Sequence, residues 1–216
     1  KNIMGITVSG SEIDAYEEPA ADAYTLTRQT ETKPNKITVT FEQGIPTKID
    51  QKKMDGALIL KMLNQTIGSY GWGSDIYTGN CIIGIKGRIM FEAPGLLALL
   101  KAHQALEQIT LTKAQMDLAL QMRITYANYL YNGLYFDPAV KDMEIFFDSM
   151  QKQVSGDVVL KLEPQKVSVV SLKSQNSLSD KSIATYAQSC SWSANDADGF
   201  IKLFTLQEKL ACKRKK

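Results

Sequence analysis

The sequence predicts an α+β protein, in which a mixed sheet of several strands and hairpins packs with helices and the chain ends in a helical arm. Three observations lead there. Alternating apolar runs joined by turn residues occur twice, over 37–49 and 158–172. Helical periodicity fills 57–67 and most of 94–154. The two kinds of segment come in blocks, without the regular strand–helix alternation of a parallel α/β sheet. A chain of 216 residues supports one core with appendages rather than two full domains.

Residues 3–8 read as a short strand, and 9–36 then carries no sustained period, which marks a long loop or arm. Ile37, Val39 and Phe41 alternate with threonines, Gln43-Gly44 makes a turn, and 45–49 returns as the second strand of a β-hairpin. The apolar positions of 57–67 fall at helical spacing. Strand chemistry resumes over 74–92, where Ile76, Ile82, Ile83, Ile85, Ile89 and Phe91 are punctuated by Gly79, Gly84 and Gly87, giving two or three strands. Pro94 stands in the first turn of an apolar helix, where its missing N–H costs little. Thr112 and Gln115 have capping-box spacing for the next helix, Asn132-Gly133 closes it, and Asp137-Pro138 opens another. Ser155-Gly156 ends that block. Residues 158–162 and 167–172 form a second hairpin across Pro164-Gln165-Lys166, and a serine-rich stretch follows.

Ser193 and Asp196 lead into a last helix with an apolar-periodic run, Phe200, Leu203, Phe204, Leu206 and Leu210, of which Phe200, Leu203, Phe204 and Leu210 form a stripe. A terminal helix has little core of its own to bury such a stripe, so 196–216 is expected to be an oligomer arm with a basic tail, and 1–195 the main domain. Packing back onto that domain is the alternative.

Composition narrows the chemistry. The formal charge is +2 with both signs mixed along the chain, which provides no field to hold nucleic acid or an acidic membrane. The terminal Lys213, Arg214, Lys215 and Lys216 read as a solvated, frayed end. Cys81, Cys190 and Cys212 are too widely spaced for a disulfide framework or a zinc site and fit a reducing, cytoplasmic setting. No apolar stretch approaches the roughly 20 residues that span a bilayer. The chain starts at Lys1 rather than Met, as expected of a piece of something longer. Its single histidine, His103, lies on a helix, where the ring is expected at a helix-packing surface or in a substrate or subunit contact. Ser9-Gly10-Ser11 and Gly71-Trp72-Gly73 lack the Lys-Ser/Thr ending of a phosphate loop and read as turns. Asp196 and Asp198 lack the other acids of a calcium loop and read as helix capping. The residues alone define no catalytic group and no metal site.

Longer patterns say more. Residues 83–95 read I-G-I-K-G-R-I-M-F-E-A-P-G, and L-A-L-L-K-A-H-Q-A-L-E-Q-I-T-L follows from Leu97. Further on come Y-A-N-Y-L-Y-N-G from Tyr126, V-S-G-D-V-V-L-K-L from Val154 and D-A-D-G-F-I-K-L from Asp196. In order and spacing, over about 2–210, these resemble the C-terminal synthetase and multimerisation part of argininosuccinate synthases, in an atypical, Bacteroidetes-like branch. The resemblance implies an N-terminal ATP-binding domain carrying S-G-G-x-D-[ST]-S, a motif absent here, which would hold ATP with Mg2+ and much of the aspartate site. This chain alone would then hold no cofactor and be inactive. The implied reaction joins citrulline and aspartate through citrullyl-AMP, in a homotetramer.

Carried over by position, the family's citrulline contacts fall on Thr7, Gly79 and Phe91, where better-known members have Ser, Glu and Tyr. The lost carboxylate and phenol point to other binding groups, with Ser9, Ser11 and Glu12 as candidates, or to an inactive stand-alone assembly module. Each position also has a plain reading: Thr7 as a strand end, Gly79 as a turn, Phe91 as core. Lys86 and Arg88 alternate onto one strand face, where they could meet a carboxylate or phosphate, or pair with Glu92.

Overall fold

In the computed structural model, which describes residues 2–9, 18–180, 183 and 191–214, the chain divides into two units, Lys1–Leu178 and Ser179–Lys216. The first unit opens with β1 (Ile6–Val8), β2 (Asn35–Glu42), β3 (Ile45–Ile49), β4 (Lys52–Lys53) and α1 (Gly56–Gly68). It continues through β5 (Ser74–Asn80), β6 (Lys86–Glu92), α2 (Pro94–Thr110), α3 (Lys113–Tyr131), α4 (Pro138–Gln151), β7 (Gly156–Glu163) and β8 (Lys166–Lys173). The α+β class holds. The strands divide between two sheets, antiparallel throughout, with orders β4-β3-β2-β7-β8 and β1-β6-β5.

The core follows from two periodicities meeting. Ile37, Val39 and Phe41 of β2 and Val158, Leu160 and Leu162 of β7 alternate onto one face of the larger sheet. On that face lie Ile59, Leu63 and Ile67 of α1 and Ala98, Ala102 and Leu106 of α2, each set repeating every four residues. Side-chain caps fix three helix starts of this unit, those at Thr112 and Asp137 as expected and that at Asp55 in addition. Asp55 accepts from the Leu58 amide at 2.8 Å, Thr112 and Gln115 form the reciprocal capping box, and Asp137 accepts from the Ala139 amide at 2.9 Å. Gln43 and Gly44 make the first hairpin turn with positive φ, and Gln165 does so in the second.

The small sheet departs from expectation at its edges. The first strand covers Ile6–Val8 only, because Ile6 already pairs with Glu92 and β6 ends there as the chain turns into α2. Ile3 is instead held through its carbonyl, which accepts from the Asn64 side chain at 2.7 Å. Residues 74–92 give two strands. Gly84, at φ +86°, turns the tip between them, and the apolar side chains of that tip are exposed.

In the second unit the expected single helix is two, α5 (Ala194–Phe204) and α6 (Leu206–Cys212). The break falls at Thr205, whose hydroxyl donates to the Ile201 carbonyl at 2.7 Å. Ser193 and Asp196 form the α5 capping box. Phe200 and Phe204 stack at 5.1 Å, and they remain exposed with Leu203, Leu206 and Leu210.

Candidate functional site

The small sheet gathers three of the candidate residues on one face. Thr7 of β1 stands directly opposite Phe91 of β6, which stands opposite Asp75 of β5. Directly opposed residues of an antiparallel sheet share a face, and so do positions two apart along a strand. The same face therefore carries Thr7, Asp75, Tyr77, Gly79, Ile89 and Phe91. Gly79 lies four residues from Asp75, about 13 Å along the strand. Thr7, Asp75, Tyr77 and Ile89 are exposed and Phe91 is half-buried, so Phe91 is not the core residue its plain reading allowed. Phe91 and Asp75 also line a cavity of about 390 Å3 with Trp72, Leu97 and Gln165. Ser9 follows β1 and is exposed; Ser11 and Glu12 lie outside the described residues.

Gly79 is not a turn residue. It is paired within β5, opposite Gly87, and its backbone is not among those with positive φ. Its small size serves a neighbour instead. A side-chain carbon added at Gly79 would collide with the ring and hydroxyl of Tyr77, which fold back along the strand above it. Asp75 and Tyr77 are the polar members of this face that sequence reasoning missed. The available signal was D-x-Y-x-G, a polar–aromatic–glycine series with strand period.

Lys86 and Arg88 project from the opposite face, with Met90 and Glu92, so they do not share a surface with Thr7, Gly79 and Phe91. The Lys86 ammonium donates to Asn80 Oδ1 at 2.6 Å, and Arg88 is half-buried. An ion pair with Glu92 does not explain that acid. Glu92 is fully buried and accepts five hydrogen bonds from residues 25–27. The amides of Thr25, Leu26 and Thr27 donate at 2.8–2.9 Å and the two threonine hydroxyls at 3.0 and 2.6 Å. Burial alone would push the Glu92 carboxyl up; the Thr27 hydroxyl and the three amides outweigh it and hold it below the ordinary carboxylate range. Gly68 allows this arrangement, since a side chain there would strike the Leu26 carbonyl.

His103 sits where its helix position predicts, at a packing surface. Its Nε2 is 2.8 Å from Gln151 Oε1, while Gln151 donates to Glu107 Oε1 at 2.8 Å. Glu107 is fully buried, and one guanidinium nitrogen of Arg123 bridges its two oxygens at 2.6 and 2.7 Å. These four side chains line the wall of a cavity of about 620 Å3 between α2, α3, α4 and the first hairpin turn. Every polar atom quoted there has a protein partner, which marks a helix-packing network. Among the described residues, no group of three or more His, Cys, Asp or Glu could hold a metal ion, and no helix is long and apolar enough to cross a membrane.

The geometry defines an α+β domain in which a small antiparallel sheet carries Thr7, Asp75, Tyr77, Gly79, Ile89 and Phe91 on one face and a buried carboxylate, Glu92, on the other. The family model described as Arginosuccinate synthase C-terminal domain matches residues 1–211, and the chain belongs to that family. It is 40% identical over 213 residues to the argininosuccinate synthase of Xanthomonas axonopodis pv. citri, covering 97% of this chain and 52% of that protein. Similarity extends to the argininosuccinate synthases of Dictyoglomus turgidum, 38% identical over 211 residues, and of Dehalococcoides mccartyi strain 195, 36% identical over 214. Each of these matches covers 97% of this chain and 53% of the relative. The chain thus spans about half the length of the curated relatives it matches.

Proposed function

We propose that this chain is the C-terminal part of an argininosuccinate synthase, the cytoplasmic, ATP-dependent ligase that joins citrulline to aspartate in arginine biosynthesis, and that the outer face of the small sheet is its citrulline wall. The observation that carries the reading is the register. Thr7 and Phe91, far apart in sequence, stand directly opposite each other, with Gly79 on the same face. In this reading ATP with Mg2+, and much of the aspartate site, belong to the other half of the enzyme. The citrulline ureido oxygen attacks the α-phosphate of ATP, pyrophosphate leaves, and the aspartate amine then displaces AMP from citrullyl-AMP. This half supplies no nucleophile or base. It orients citrulline and keeps water from the activated intermediate.

Thr7→Ala in the full-length protein is expected to raise the citrulline KM about 10-fold, the equivalent of one hydrogen bond of about 1.4 kcal/mol, with kcat nearly unchanged. Steady-state kinetics with citrulline as the varied substrate reads this, and an unchanged KM removes Thr7 from the site.

The exposed stripe of α5 and α6 supports an arm that joins copies in a homotetramer. Deleting residues 193–216 should lower the mass found by light scattering to that of a smaller assembly. An identical mass before and after would discard the arm.

A further inference from the structure

We infer that Tyr77 supplies the hydrogen-bonding group that recognises the neutral ureido end of the substrate, from the space that a side chain at position 79 would otherwise fill. The inference rests on the reading of this face as the citrulline wall.

Three observations support it. Tyr77 lies on the same face as Thr7 and Phe91, one strand repeat from Asp75. Its ring and hydroxyl lie over Gly79, in space that a side-chain carbon there would enter, although the Gly79 backbone does not itself demand glycine. The bare backbone leaves room for the phenol to lie there. Third, the residue is 56% exposed, and its hydroxyl has no hydrogen-bond partner among the described residues. This is a placed polar group with both a donor and an acceptor to offer.

The chemistry selects a ligand. A phenol donates one hydrogen bond and accepts others without carrying charge. A ureido group presents a carbonyl acceptor and N–H donors and is likewise neutral, so the two match with no charge left unpaired. An ammonium at the same place would gain only an acceptor and would lose hydration. Asp75, about 13 Å along the strand from Gly79 and the Tyr77 hydroxyl above it, is the charged group of this face; its carboxylate accepts from the Ile76 amide at 2.7 Å and is exposed. An amino acid lying along β5 would turn its α-ammonium toward Asp75 and its ureido end toward the Tyr77 hydroxyl, a span suited to an extended three-carbon side chain with a hydrogen bond at each end. Tyr77 is thus a specificity residue that separates citrulline from its cationic analogue ornithine.

The test is calorimetric titration of citrulline, with ornithine in parallel, into the full-length protein saturated with α,β-methylene-ATP, which occupies the nucleotide site without reacting. Tyr77→Phe keeps the ring over Gly79 and removes only the hydroxyl. The expected result is a Kd for citrulline raised about 10-fold, with ornithine binding no weaker than in the parent. A Tyr77→Phe affinity within twofold of the parent, while Thr7→Ala still weakens binding, overturns the role of Tyr77 and leaves the citrulline wall standing. If the parent takes up no citrulline, or both variants bind as the parent does, the wall reading itself fails, and the inference with it.

Discussion

Glu92→Gln is expected to destabilise the larger unit by about 2–4 kcal/mol. The shape is kept, but the hydrogen-bond sense is not. The carboxylate accepts from three backbone amides and two hydroxyls, all donors aimed at it. A glutamine amide brings an NH2 to one end of that cluster, leaving buried donors face to face at about 1–3 kcal/mol for each group left unsatisfied. Urea denaturation with an unchanged m-value and a lower midpoint would report this as stability alone. A loss under 1 kcal/mol would mean that residues 25–27 do not depend on the carboxylate.

The same site has a pH signature. The Glu92 carboxyl is held below its ordinary value in the folded protein, so its contribution is complete above the unfolded value of about 4.3 and is lost as pH falls through the folded value. The stability difference between the parent and Glu92→Gln should therefore be constant from neutrality down to about pH 5 and shrink below it. A difference that stayed flat to pH 3 would contradict the direction of the shift.

Arg123→Ala is expected to cost about 2–3 kcal/mol, at or below the lower end of the roughly 3–5 kcal/mol for breaking a buried pair. Arg123 is about one-third exposed, so water can enter the space it leaves. Glu107 has no such relief. It is fully buried and would keep only Gln151 as a close donor, with His103 Nδ1 at 3.8 Å. Removing the acid instead, by Glu107→Gln, should cost less, because Arg123 can turn its guanidinium into solvent. Urea midpoints for the two variants check the asymmetry; equal losses would show that the guanidinium is held by more than this acid.

What was legible in the sequence is what local chemistry decides. The hairpins at 35–49 and 156–173 and the starts of α3 and α4 follow from alternation, turn residues and caps that lie within a few positions of one another. The pairing of Thr7 with Phe91 did not, since β1 has three residues and no period to set its register. The common role proposed for them comes only from the resemblance. Glu92 invited a cation as partner, and Lys86 and Arg88 were in reach by parity. Its actual partners are mostly backbone amides of a segment without periodicity, and an amide leaves no mark in a side-chain pattern. Gly79 was misread for a related reason. Glycine is usually turn punctuation, but here it accommodates an aromatic ring two residues away on its own strand.

The alternation of β6 also limits how this protein can change length. Phe91 and Glu92 are neighbours in the chain but face opposite ways, one toward the open surface and the other into the fold. Deleting or inserting one residue within 88–92 would exchange them, exposing the carboxylate and turning the aromatic ring toward the donors of residues 25–27. Such a change would strike folding and the proposed citrulline wall at once. The exposed tip over 81–85 carries neither duty, so length variants of this region that still fold should have their gaps there and not in the strand.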